Sequence, residues 1–213
     1  MTQPTHVYHF IGGSDPTGTP LVLLHGSGGH GHDFLPLADA LAPGSPVLGI
    51  QGNVVIDGGF AFFHRFPDRT IDEADLTNRV PVLADFIEAS ASRHDFAKAP
   101  IAVGFSNGAI MAAALLLMRP SLLAGAILFR PLSPFTHDLP TRLDGVPVLI
   151  IDAENDNRRS PGDGRRLAER LIHAGATVTH HGLPTGHSLT TEDRKIARSG
   201  CWGSWIEMRC RVA

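Results

Sequence analysis

The sequence predicts an α/β protein, a mostly parallel sheet with helices on both faces, formed as a single domain over residues 1–213. Three observations carry this prediction. Short runs that are apolar at every position, such as Leu21–Leu24 and Val47–Ile50, suit strands buried on both faces. Between such runs lie stretches whose apolar residues recur at helical spacing, for example Leu76, Val80, Leu83, Phe86 and Ile87. Glycine-rich turns follow two of the strands directly, at the sheet edge where open α/β folds bind ligands.

Taken in order, Val7–Phe10 reads as a first strand, followed by a Gly/Ser/Pro-rich turn from Gly12 to Pro20 that can sustain neither helix nor ladder. Leu21–Leu24 is the next strand. It leads into the glycine-rich loop His25–His32 and then an amphipathic stretch, Asp33–Ala42, with Phe34, Leu37, Ala38 and Leu41 on one face. Val47–Ile50 is a strand, and Gln51–Arg69 after it shows little periodicity, as functional loops often do. A helix is expected from Thr70 or Asp72 to about His94, with Pro81 as a point of kink or break.

Ile101–Phe105 is a strand, Gly104–Gly108 a turn of the form Gly-x-Ser-x-Gly, and Asn107–Met118 a helix. Ala124–Phe129 and Val146–Ile151 follow as strands, separated by a proline-rich loop from Arg130 to Gly145 that can wall a pocket. Leu167, Ala168, Leu171 and Ile172 mark a helix over Gly164–Ala174, Val178–His181 a short strand, and Thr191–Ser199 a last helix. There is no internal repeat and no linker.

Composition narrows the function. With 43% hydrophobic and 18% charged residues and a formal net charge of -3, the chain is an ordinary globular protein with no broad basic face for nucleic acid. No leader-like or membrane-spanning run is visible, and the two cysteines, Cys201 and Cys210, build neither a disulfide framework nor a metal cluster. A cytoplasmic protein that binds neither membrane nor nucleic acid is expected.

The chemistry centres on Ser106. A serine on a sharp strand-to-helix bend has its hydroxyl pushed clear of the backbone, and the helix after it aims its amides and positive dipole end at the same spot. In a chain with 23 glycines the Gly-x-Ser-x-Gly string alone is weak, so its partners matter. A serine hydroxyl needs a general base, and His187 follows the last strand in the loop Pro184–Leu189. Asp156, in the loop after Val146–Ile151, is the chosen acid, with Asp152 and Glu154 as rivals; Asp152 abuts the strand end, where local capping is the simpler role. Backbone amides of Ser27 and Asn107 would form an oxyanion hole. His25, His30, His32 and Asp33 form a His-x-His-type cluster without a convincing ligand set, so no metal and no cofactor are expected.

Taken together, Leu24-His25-Gly26-Ser27-Gly28-Gly29, Gly52-Asn53-Val54, Phe62-Phe63-His64-Arg65, Asp72-Glu73-Ala74-Asp75-Leu76, Gly104–Ala109 and Gly186-His187-Ser188-Leu189 resemble the carboxylesterase/phospholipase family of α/β-hydrolases. This family includes acyl-protein thioesterases, and the likeness is greatest to its bacterial branch of MhqD-type hydrolases. The resemblance spans about Leu21 to Glu192 and implies Ser106 as nucleophile, His187 as base, Asp156 as acid, and oxyanion donors at Ser27 and Asn107. A carboxylesterase is expected, and because the chain has no room for a separate lid domain its cleft should be open and favour short acyl groups; a thioesterase or lysophospholipase on the same triad, or a silent small-molecule binding module, are the alternatives. A pocket lined by His25, Phe60, Phe62, Phe63, Leu132 and Phe135 is expected, although ordinary core packing is an equal reading for each phenylalanine. A small-molecule ester is the expected partner, and relatives of this size often pair as homodimers. Three features depart from the branch: Gln51 stands where Arg is usual, the acid loop Glu154–Pro161 is longer and more basic, and Arg198–Ala213 does not continue as an amphipathic last helix.

Overall fold

The computed structural model describes residues 5–15 and 17–199. Seven strands form one sheet: β1 (Tyr8–Ile11), β2 (Leu21–Leu24), β3 (Val47–Ile50), and, after a small separate hairpin of β4 (Val54–Ile56) and β5 (Gly59–Ala61), β6 (Ile101–Phe105), β7 (Gly125–Phe129), β8 (Pro147–Ala153) and β9 (Thr177–Leu183). The sheet order is β1-β3-β2-β6-β7-β8-β9. Every pairing is parallel except that of β1 with β3. The predicted mostly parallel sheet is therefore the observed one, and β6, which carries the chain to Ser106, lies at its centre.

The alternation of side chains along each strand divides the interior in two. Val22, Leu24, Ala102, Leu128, Val148 and Ile150 face one side, where they pack with α2 (Glu73–Arg93), α3 (Asn107–Met118) and α4 (Asp163–His173). Leu21, Leu23, Val103, Ile127, Leu149 and Ile151 face the other, against α1 (Leu35–Leu41) and Ala197 of a helix over 191–199, here α5. Helices thus cover both faces, which explains why the strands read as unbroken apolar runs. No separate lid domain is built among the described residues.

Helix α3 is buried all round from Asn107 to Leu117, so its sequence, Asn-Gly-Ala-Ile-Met-Ala-Ala-Ala-Leu-Leu-Leu, shows almost no amphipathic pattern. Its small residues let it approach the sheet closely. A Cβ at Gly108 would sit 2.1 Å from the Leu24 carbonyl oxygen, and one at Gly104 would sit 2.6 Å from that of Gly108. Those two glycines are what the close strand–helix crossing requires.

Several expectations need correction. Strand ends shift by one or two residues, and α1 begins at Leu35 rather than Asp33. Pro81 neither breaks nor ends α2, which runs unbroken from the Asp72 cap to Arg93. Pro81 and Thr77 are both exposed, so the Thr77 carbonyl that loses its N–H partner faces water. The segment after Gln51 contains the β4–β5 hairpin, for which the dipeptide Asp57-Gly58 was the available signal; Gly58 adopts φ 83°. Of the atypical tail, Arg198 and Ser199 end α5, and residues 200–213 lie outside the described residues.

Replacing Gly108 by Ala should destabilise the fold by at least about 2 kcal/mol, because the clash is with backbone and cannot be relieved by a rotamer change. Urea unfolding of G108A beside A112G, a helix change without the clash, measures it; equal losses would refute the close-approach argument.

Candidate active site

Ser106 occupies the turn between β6 and α3 with φ 53° and ψ -106°, a conformation that side-chain-bearing residues rarely adopt. Holding it costs about 1–3 kcal/mol, which the central sheet and the buried helix offset. The Ser106 N–H donates to the Phe129 carbonyl at 2.9 Å, tying the turn to β7. The side chain is left at the sheet edge, with the residue 9% exposed.

The loops after β8 and β9 bring two further side chains to that hydroxyl. His187 Nε2 lies 3.0 Å from Ser106 Oγ, and His187 Nδ1 lies 2.6 Å from Asp156 Oδ2. Asp156 is buried, and its other oxygen accepts the Arg158 N–H at 2.8 Å. The carboxylate thus fixes the imidazole with Nδ1 protonated and Nε2 free to accept from serine. Burial pushes the His187 pKa below its ordinary value; the Asp156 hydrogen bond and charge oppose this, and the charges of Arg159 and Arg158 add to it. A neutral imidazole facing the serine at neutral pH follows. The rival acid Asp152 is used otherwise, accepting the Gly164 N–H at 3.0 Å near the start of α4.

Ser27 is exposed beside the glycine-rich loop, and Asn107 is the first residue of α3. Among the described residues neither backbone N–H donates to a protein acceptor. The Asn107 side chain serves a different purpose. Its Oδ1 accepts the Phe62 N–H at 2.7 Å, which holds the segment after β5 against the serine turn.

The expected pocket wall is only partly the observed one. His25 is buried, with Nδ1 2.7 Å from the Gly26 carbonyl oxygen and Nε2 accepting the Gly52 N–H at 2.9 Å. Both ring nitrogens are consumed in joining two loops, so His25 does not line a pocket. Phe62 and Phe63 are core residues, buried with α2 and α3, because strand-like alternation fails in this turn and both rings point inward. Phe60 is partly exposed, packs edge-on against His30 at 5.4 Å, and lies outside the groove. Leu132 and Phe135 do line the groove, whose volume is about 1170 Å³. No metal-type cluster forms at His25, His30, His32 and Asp33, or elsewhere among the described residues.

Two features escaped the sequence reading. Arg159 donates through Nη2 to Ser106 Oγ at 3.0 Å and through Nε to the Arg130 carbonyl at 2.8 Å. Arg130 itself is wholly buried, paired with Asp193 at 2.6 and 2.9 Å. Its guanidinium also donates to the Gly186 and Ser188 carbonyls, each at 3.2 Å, and so grips the backbone on both sides of His187. Asp193 in turn accepts the Thr190 N–H at 2.7 Å, a capping arrangement at the start of α5. The basic acid loop and the Thr-x-x-Asp spacing were the available signals, but neither says where a long side chain ends.

A central parallel sheet that carries a serine on a strained strand–helix turn, with a histidine and a carboxylate on later loops, defines the α/β-hydrolase class. Within that class the chain belongs to the Phospholipase/Carboxylesterase family, whose model matches residues 9–199. It is 38% identical to the putative hydrolase MhqD of Bacillus subtilis over 84% of this chain and 90% of that protein. Among solved structures, it resembles the Bacillus cereus carboxylesterase with TM-score 0.89 and 34% identity, covering 92% of this chain and 93% of that one. The carboxylesterase from Mesorhizobium loti matches with TM-score 0.88 and 28% identity over 95% and 97% of the two chains. The chain thus belongs to a family of hydrolases and esterases, and no helix among its described residues is long and apolar enough to cross a membrane.

Exchanging Arg130 for Met strands a buried carboxylate and two loop carbonyls, and should lower the unfolding free energy by about 3–5 kcal/mol. The double variant Arg130→Met with Asp193→Leu should recover part of that loss. Urea denaturation of the three proteins decides; a loss below about 1 kcal/mol in the single variant would show that the pair holds nothing.

Proposed function

We propose that the protein hydrolyses carboxylic esters through an acyl-enzyme on Ser106. The observation that carries this reading is the continuous hydrogen-bonded line from Asp156 through His187 to Ser106, at 2.6 and 3.0 Å. Ser106 Oγ attacks the ester carbonyl carbon while its proton passes to His187 Nε2. The tetrahedral oxyanion is met by the N–H groups of Ser27 and Asn107, each contributing about 10²- to 10³-fold in turnover. When the intermediate collapses, the C–O bond to the alcohol breaks and His187 returns the proton to the departing oxygen. Water then attacks the acyl carbonyl with His187 again as base, and the carboxylic acid leaves with Ser106 restored. No cofactor takes part.

An open groove bordered by arginine and serine side chains as well as Leu132 and Phe135 suits short, soluble acyl groups better than long lipid chains. That favours a carboxylesterase over a lysophospholipase on the same three residues.

Hydrolysis of 4-nitrophenyl esters from acetyl to dodecanoyl should decline with chain length, and Ser106→Ala should remove about 10⁴-fold or more of the activity. A fluorophosphonate should label Ser106 in the wild type. Absence of both turnover and label would leave a hydrolase fold used for binding.

The pH dependence of kcat/KM should rise with an inflection below the ordinary histidine value of 6.5, because the base must be neutral and its pKa is lowered. Arg159→Gln removes a neighbouring positive charge that disfavours the imidazolium, so it should move that inflection upward. An inflection at or above 7 in the wild type would contradict the electrostatics of the site.

A further inference from the structure

Arg159 reaches from the lining of the groove to Ser106, and six arginines stand against five carboxylates in that lining. Two of these carboxylates are ion-paired within the groove, and the others accept neutral hydrogen bonds or lie near an arginine outside it. Asp163 pairs with Arg166 at 2.6 Å, Asp138 with Arg170 at 2.5 Å, Glu73 accepts the Thr136 N–H at 2.8 Å, and Asp68 accepts the Thr70 N–H at 2.9 Å. Glu169 lies 4.0 Å from the exposed Arg165. By contrast, Arg65, Arg69, Arg158 and Arg159 line the same groove and have no ion-pair partner within 4.0 Å among the described residues.

Two of these four are also largely withdrawn from water. Burial first, and then the charge of Arg65, push the Arg159 pKa down to about 10, and burial together with Arg69 lowers that of Arg65. Two like charges in a partly dry site, on which the carboxylates Asp163, Asp156 and Asp152 act without forming an ion pair, are a poor arrangement for stability alone. They are a good arrangement for a ligand that brings the negative charge.

The geometry of the donors is specific. Arg159 is held by main-chain carbonyls, Nε to Arg130 at 2.8 Å and Nη1 to Arg158 at 3.0 Å, so Nη2 is the nitrogen turned to the reacting centre. Arg65 is held likewise, with Nη1 donating to the Arg69 carbonyl at 2.9 Å, while its Nη2 is buried and has no hydrogen-bond partner among the described residues. Two anchored guanidiniums lining one groove, each with an N–H that no protein carboxylate takes, suit an anionic ligand.

Resting on the esterase reading above, we propose that Arg159 and Arg65 form an anion-recognition site that selects esters carrying a carboxylate a few bonds from the scissile carbonyl, as in the half-ester of a short dicarboxylic acid. Arg159 Nη2 is 3.0 Å from Ser106 Oγ. A carboxylate oxygen at hydrogen-bond distance from the same nitrogen therefore lies within about 6 Å of the nucleophile, the separation that a three- to five-carbon diacid spans. The extended basic loop that provides Asp156 thus also provides the cation nearest the reacting atoms.

The test compares mono-(4-nitrophenyl) glutarate with 4-nitrophenyl pentanoate, esters of equal chain length that differ in the terminal carboxylate. Wild type should prefer the glutarate half-ester in kcat/KM by about 10- to 100-fold, the range of a charge-assisted hydrogen bond pair in a partly buried site. The ratio should collapse toward one or below in Arg159→Gln and in Arg65→Gln, and be partly restored in Arg159→Lys. A wild-type ratio of one or less, or a ratio that survives both glutamine substitutions, overturns the proposal. Free glutarate provides a readout independent of turnover. It should raise the Tm of wild type and not that of Arg159→Gln, with inorganic phosphate run alongside. If no ester is hydrolysed and Ser106 takes no fluorophosphonate, the esterase reading fails by itself, and the glutarate shift then decides the anion site: a shift abolished by Arg159→Gln supports it. No shift, or a shift with phosphate alone, refutes the carboxylate assignment.

Discussion

The buried ion pair between Arg130 and Asp193 is the interaction on which the site depends. A guanidinium and a carboxylate removed from water carry a desolvation penalty that their attraction offsets only when the remaining hydrogen-bonding capacity is used. Here it is used. The guanidinium reaches the Ile151, Gly186 and Ser188 carbonyls and the Thr185 hydroxyl, while Asp193 takes the Thr190 N–H and hydroxyl. One residue at the end of β7 thereby fastens the end of β8, the loop that carries His187 and the start of α5. Its main-chain carbonyl also anchors Arg159, so the base and the cation beside the nucleophile share one support.

That common support explains how a site with so much positive charge keeps a working geometry. Ser106 Oγ lies between two nitrogens, a His187 Nε2 that accepts its proton and an Arg159 Nη2 that donates to it. A cation at this point favours the serine oxygen as it gains negative charge, and it adds to burial, the larger cause, in keeping His187 neutral in the resting state. The same cation would hold the transient imidazolium less well, and Asp156 at 2.6 Å compensates for that. The site is thus a balance of one carboxylate against two guanidiniums across a single imidazole.

The sheet, its order of elements and the serine turn were legible because they follow from local pattern. Strands buried on both faces must be apolar throughout, and the Gly-x-Ser-x-Gly turn needs its glycines wherever a helix crosses so near a strand. Asp156 meets His187 as its loop suggested, while Asp152, inside β8, accepts an N–H from Gly164 in α4 rather than from its own loop. The β4–β5 hairpin was not, because its two strands of three residues make sense only when paired with each other. His25, Phe62 and Phe63 were misplaced for a related reason: loops that fold back into the interior bury residues which, in a linear reading, belong to the rim.

Short-range periodicity and turn chemistry dictate the fold class, the place of the serine turn and the loops that converge on it, so these could be read from the chain without coordinates. What the arginines do could not. Arg65, Arg130 and Arg159 are long flexible side chains that nothing in their own neighbourhoods of sequence assigns to separate roles. One became an internal strut and the other two became groove cations, because the fate of a guanidinium is set by which carbonyls and carboxylates come within its reach when distant loops converge.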